Sequence, residues 1–133
     1  MTDFTELMGK TLASVTGEVG DEDMVFVTTD GTSYKLWHKQ DCCESVVIEG
    51  IVGDLTALVG SPITQAEEVT HLIGVTPKDL PSPPTPEYGW VESSFTWTFY
   101  KLATAKGHVT IRWYGESNGR YSESVDFEEI VAE

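Results

Sequence analysis

Residues 95–114 read FTWTFYKLATAKGHVTIRWY, and this stretch decides the fold. Phe95, Trp97 and Phe99 alternate with Thr96, Thr98 and Tyr100; beyond a turn at Ala105-Lys106-Gly107, Val109, Ile111 and Trp113 alternate with Thr110, Arg112 and Tyr114. Aromatic and β-branched residues at a period of two mark half-buried strands. A second turn at Ser117-Asn118-Gly119 leads into a third run, Tyr121 to Phe127. The pattern predicts an antiparallel meander with Phe95, Trp97, Phe99, Val109, Ile111 and Trp113 on its apolar face. Thr96, Thr98, Tyr100, Thr110, Arg112, Tyr114, Ser122 and Ser124 then fall on the polar face.

Upstream, Met24 to Thr29 (MVFVTT) and Thr32 to His38 (TSYKLWH) flank Asp30-Gly31, a strong local signal for a hairpin. Ser45 to Val52 is a third apolar run. Residues 54–59 carry Leu55, Leu58 and Val59 at helical spacing before Gly60-Ser61-Pro62, which predicts a short helix. Residues 63–74 mix helix and strand formers, and strand is the preferred reading because it offers a partner to the aromatic strands. Residues 75–89, VTPKDLPSPPTPEYG, hold five of the six prolines and read as an extended surface loop. The expected architecture is mainly β (α+β): one domain over residues 1–133, a twisted antiparallel sheet or half-barrel of about six or seven strands with one short helix.

The chain has 133 residues, 40% of them hydrophobic, which is enough for one packed core. It carries 22 acidic against 8 basic residues, a net charge of −14. Binding to nucleic acid or to an anionic membrane is disfavoured, since both require clustered lysine and arginine. There is no apolar run of membrane-spanning length and no basic-then-apolar leader, so a cytoplasmic location is expected. The two cysteines, Cys42 and Cys43, are adjacent and cannot staple distant segments, which fits a reducing compartment.

HKQDCCESVVIEGIVGDLTALVGSPITQAEE, beginning at His38, and SSFTWTFYKLATAKGHVTIRWYGESNGRYSESVDF, ending at Phe127, resemble a family of small acidic bacteriophage and prophage proteins that carry an uncharacterised domain. The resemblance covers most of residues 10–130, leaving out the proline-rich loop and the N-terminus. It implies phage provenance and an accessory role, such as countering host defence, and assigns no chemistry to any residue.

Two clusters compete for function. Arg112, with Tyr100, Tyr114, Asn118, Tyr121, Ser122 and Ser124, supplies a guanidinium, hydroxyls and rings that suit a nucleotide-like ligand. The structural alternative pairs Arg112 with Glu116 or Glu123. His38, Asp41, Cys42, Cys43 and Glu44 join thiol, imidazole and carboxylate, the ingredients of a small hydrolase or a metal-dependent enzyme. Here the structural alternative is a strand entry with one cysteine in the core and Asp41 organising the turn; no paired metal motif accompanies it, only the isolated His71 and His108. A third reading, mimicry of nucleic acid to occupy a host DNA-binding protein, needs arrayed carboxylates, whereas the acids are spread along the chain. No phosphate loop, GxSxG or HExxH motif is present. The preferred expectation is a non-catalytic binding protein without a cofactor, acting on a nucleotide-like signal or a host protein, with homo-oligomerisation open.

Overall fold

The computed structural model describes residues 3–39, 44–70, 94–117 and 123–130. Eight strands lie among them: β1 (Leu12–Thr16), β2 (Asp23–Thr28), β3 (Ser33–Trp37), β4 (Ser45–Val52), β5 (Gln65–Thr70), β6 (Ser94–Thr104), β7 (Gly107–Ser117) and β8 (Asp126–Ile130). They form two four-stranded sheets, ordered β1-β2-β3-β8 and β4-β7-β6-β5, with every pairing antiparallel. The sheets pack together without closing into a barrel. The mainly β, antiparallel architecture is therefore as expected, divided into two layers. The ambiguous segment contributes strand β5. Residues 54–59 form a 3-10 turn, Leu55–Leu58, in place of an α-helix. The proline-rich segment 75–89 lies outside the described residues, and no described helix is long and apolar enough to cross a membrane.

The Asp30-Gly31 turn is built from local chemistry. Gly31 takes a φ of +92°, which only glycine adopts without strain. The Asp30 carboxylate accepts from the Thr28 hydroxyl and from the Thr32 backbone N–H at 3.0 Å, bonds that hold its pKa down at about 2. This sets β2 against β3 with Met24 opposite Leu36 and Phe26 opposite Tyr34, all four buried.

The β6–β7 hairpin corrects the assignment of faces. Thr104 pairs with Gly107, leaving two residues in the turn, Ala105 and Lys106, rather than three. The pairs are then Trp97 with Tyr114, Thr98 with Trp113, Phe99 with Arg112 and Tyr100 with Ile111. A difference of one residue in the turn exchanges the faces of a whole strand. Thr98, Tyr100 and Leu102 join Val109, Ile111 and Trp113 facing the interior, whereas Phe95, Trp97 and Phe99 share the outer face with Arg112 and Tyr114.

The third run is not a meander strand either. β8 pairs with β3 in the other sheet, Leu36 lying opposite Phe127. The crossing chain passes over Gly115, where an added Cβ would lie 3.0 Å from the Cβ and carbonyl oxygen of Glu123. Glycine at this position leaves room for the crossing.

Met24, Phe26, Leu36, Ile48, Leu58, Tyr100, Ile111 and Trp113 are all fully buried between the layers, each apolar side chain stabilising the fold by ~1.5–3 kcal/mol relative to exposure. Phe4, from the 3-10 turn Phe4–Leu7, enters between the sheets; its ring centroid lies 4.7 Å from Tyr100 and 5.1 Å from Phe127.

The outer strands are finished differently. Beside β1, Gly60 N–H donates to Leu12 O at 2.9 Å and Ile63 N–H to Lys10 O at 2.8 Å. Beside β4, Gly20 N–H donates to Ile48 O at 2.7 Å and Ile48 N–H to Asp21 O at 2.9 Å. β5 pairs with β6 alone and β8 with β3 alone among the described residues. A cleft lies between those last two.

Candidate functional site

Of the expected Arg112 cluster, Arg112 and Tyr114 share one face of β7, and Tyr100 lies on the opposite face of the sheet. Arg112 lies on the outer face, and its Nε donates to Glu49 Oε2 at 2.6 Å. Glu49 reaches it because β4 bulges there: Ile48 opposes Trp113 and Gly50 opposes Arg112, with Glu49 between them. The guanidinium lies across Gly50, where an added Cβ would come within 2.3 Å of a terminal nitrogen. The ion pair is thus with Glu49, neither Glu116 nor Glu123. The two side chains are 21% and 31% exposed, so the pair is partly solvated and its stabilising value is modest.

Tyr114 is on this face, its ring 4.8 Å from Trp97 and its hydroxyl donating to Glu116 at 3.2 Å. Burial, then the Glu116 charge, hold its phenol well above the usual range. Tyr100 lies on the opposite face with no exposed surface, its hydroxyl 3.4 Å from Val125 O. It belongs to the core, and burial, then Glu68, raise its pKa. Ser124 is on the β7–β8 connection and is not part of the Arg112 face. Asn118, Tyr121 and Ser122 lie outside the described residues.

Of the second cluster, His38 and Glu44 come together; Asp41, Cys42 and Cys43 lie outside the described residues. His38 leaves the end of β3 and Glu44 precedes β4, with side chains 4% and 0% exposed. His38 Nδ1 is 2.7 Å from Ser124 O and Nε2 is 3.0 Å from Glu44 Oε2. A carbonyl oxygen only accepts, so Nδ1 carries a proton and donates to Ser124. Nε2 faces the Glu44 carboxylate. Both ring nitrogens are committed, so His38 has neither one available to take a proton from a thiol. His108 is exposed near the opposite end of β7 and does not join it.

Glu123, expected only as a partner for Arg112, is buried on the connection next to Ser124. Although 7% exposed, it accepts from the Thr96 hydroxyl at 2.7 Å and the Ser117 hydroxyl at 2.5 Å. Hydroxyl donors compensate part of the desolvation of the buried carboxylate. The cluster fastens the β3–β4 and β7–β8 connections to one end of the sandwich. Among the described residues no group of three or more His, Cys, Asp and Glu is placed to hold a metal.

The third place was absent from the sequence reading. A cleft of about 510 Å³ is lined by Asp3, Phe4, Glu68, Ser124, Val125, Asp126 and Phe127. Its floor is aromatic and its walls carry three carboxyl groups. Thr5, through its backbone N–H and then its hydroxyl, keeps the Asp3 pKa below the usual value. No local motif marks the cleft, because its walls come from three separated segments.

A family profile described only as a domain of unknown function matches residues 5–127. No curated protein and no solved structure matches the chain.

Proposed function

The chain belongs to that family, DUF7448, and we propose that it is a non-catalytic accessory protein of bacteriophage kind that acts by binding a host protein in the cytoplasm. The observation that carries this choice over a nucleotide-like ligand is the Arg112–Glu49 ion pair at 2.6 Å. An arginine that grips phosphate presents its fork to the ligand; here Nε is spent on a carboxylate. The hydrolase reading is weakened in the same way, since both nitrogens of His38 are already hydrogen-bonded. What remains is a rigid sandwich of strongly acidic composition, which suits recognition of a cationic protein surface.

The test pairs calorimetry against a panel of mononucleotides and cyclic dinucleotides with affinity capture from host lysate followed by gel filtration. The expected result is a stoichiometric host protein and no nucleotide heat. A nucleotide bound one to one, and lost in Arg112→Ala, overturns the reading. If Cys42→Ala with Cys43→Ala abolishes biological effect at unchanged stability, the enzyme reading replaces it.

A further inference from the structure

We propose that Trp37, on the outer face of the β1-β2-β3-β8 sheet, is the seat for an arginine side chain of the partner protein, and that Lys35 of this chain occupies the seat until the partner arrives. The proposal rests on the protein-binding reading above and names the place of contact and the side chain received there.

The faces of this sheet follow from its register. Met24, Phe26, Tyr34 and Leu36 turn inward and are buried. Val25, Lys35 and Trp37, at the alternate positions, share the outward face, and each keeps part of its surface exposed. Trp37 stands in the middle of a row that crosses three strands. Asp23 of β2 lies directly opposite it on one side, and Asp126 of β8, which also stands at the rim of the cleft, lies opposite it on the other. Directly opposed residues of a sheet project to the same face with Cβ atoms about 4.5–5.5 Å apart. An indole between two carboxylates offers a cation a negative ring face and, on either hand, an anion to bond. Among the described residues neither Asp23 nor Asp126 has an ion-pair partner.

The ring already carries a cation. Lys35 Nζ stands over it, 4.0 Å from the ring centroid, within reach of the attraction between an ammonium and an aromatic face. It arrives there from two positions earlier on the same strand and makes no ion pair with either aspartate. An arginine coming from outside does both: its planar guanidinium stacks on the indole while its remaining N–H groups bond a neighbouring carboxylate. Exchange is easy, because the displaced ammonium is strongly hydrated and returns to water on a flexible stem. Charge fixes the class of partner. Exposed Glu128 lies opposite Lys35 and extends the acidic surround, so an anionic ligand is repelled, and a second copy of this chain would set the same acids against each other.

The probe is an acetylated, amidated Gly-Gly-Arg-Gly-Gly peptide, titrated against the whole chain at physiological ionic strength and followed by indole and amide chemical shifts. The expected result is a saturable shift of the Trp37 indole and of the amides of Asp23, Val25 and Trp37. Citrulline in place of arginine keeps the shape, loses the charge and should not bind. Lys35→Met should tighten arginine binding by about two- to fivefold, the size of a cation–π contact at an exposed site. Lys101→Met removes the same charge from the other sheet and should leave the affinity nearly unchanged, since distant charges are screened. Trp37→Leu should abolish the amide shifts, and Trp37→Phe, which keeps a ring, should give a weaker response, so that loss of the ring is told apart from loss of the fold.

No saturable shift at tens of millimolar peptide, shifts that map elsewhere, an equal response to citrulline, or weaker binding in Lys35→Met overturns the proposal. So does a dimer of the parent chain in sedimentation that dissociates in Trp37→Leu, since the face then belongs to a second copy. The two levels separate. If a captured host protein is held equally by Trp37→Leu, the arginine seat falls and the binding-protein reading stands. If the peptide docks as expected but the chain retains no host protein, the seat stands and the cellular reading falls.

Discussion

The two lateral seams of the sandwich are built on opposite plans. On the side of β1 and β4, the edge carbonyls and amides are met by chain from elsewhere: Gly60 and Ile63 beside β1, Gly20 and Asp21 beside β4. The 3-10 turn at Leu55–Leu58 reinforces this side, with Asp54 capping it through Thr56 N–H at 3.0 Å and Thr104 donating to Ala57 O. On the side of β5 and β8, among the described residues, the ring of Phe4 stands between the sheets and Asp3, Glu68 and Asp126 line the cleft beside it. Among the described residues, backbone hydrogen bonds close the first seam and an aromatic side chain fills the second, so the first carries more of the work of holding the layers together.

The largest expected effect comes from breaking the closed seam. Leu58 has no exposed surface, and Leu58→Ala should destabilise the chain by about 2–5 kcal/mol through lost burial and a cavity, read from the urea midpoint at unchanged slope. Gly53→Ala strikes the same seam through the backbone. Gly53 takes φ +103°, and an added Cβ would lie 2.5 Å from His108 O; strain and clash together should cost roughly 2 kcal/mol or more. If either variant unfolds no more easily than the parent, the division of labour between the seams is wrong.

Hydrogen exchange sharpens the comparison without mutation. The amides of Ile48, Gly60 and Ile63 should exchange at the slow, global rate, since each donates across the closed seam. Fast exchange at these three amides would mean that the closed seam does not hold the layers together. The open seam should also tolerate loss of charge: Asp3→Asn with Asp126→Asn should move stability by no more than about 0.5 kcal/mol, since asparagine still caps the first 3-10 turn.

The smallest expected effect is acid sensitivity at the Asp30 turn. The folded pKa of about 2 lies below the ordinary 3.8. The unfolded chain therefore binds the proton first, and the stabilisation, complete above about pH 4, is lost as pH falls through that interval toward 2. Asp30→Asn should flatten this part of the stability profile; an unchanged acid limb would show that the Thr28 and Thr32 bonds do not govern it.

How far the sequence could be read follows from the range of each determinant. Asp30-Gly31 was legible because the turn, its glycine and its capping carboxylate are neighbours. The β6–β7 strands were legible as strands, but their faces were not. Both alternating sets carry aromatics, so pattern alone does not distinguish Phe95, Trp97 and Phe99 from Thr98, Tyr100 and Leu102; the choice depends on whether two or three residues make the turn. β8 was assigned to the wrong neighbour because Tyr121 to Phe127 follows a turn signal, while the crossing depends on space at Gly115. His38 and Glu44 were singled out together, and close sequence spacing made that possible. Glu49 was missed because a bulge brings it to Arg112. Asp3, Glu68 and Asp126 carried no signal among 22 acids, since only the assembled fold gathers them.

The crossing of Arg112 over Gly50 carries an evolutionary consequence. The guanidinium occupies the place where a Cβ at position 50 would sit. Because it is the end of a flexible side chain, a descendant that gains a side chain at position 50 can keep its arginine by swinging the guanidinium aside, and the contact with Glu49 then changes with it.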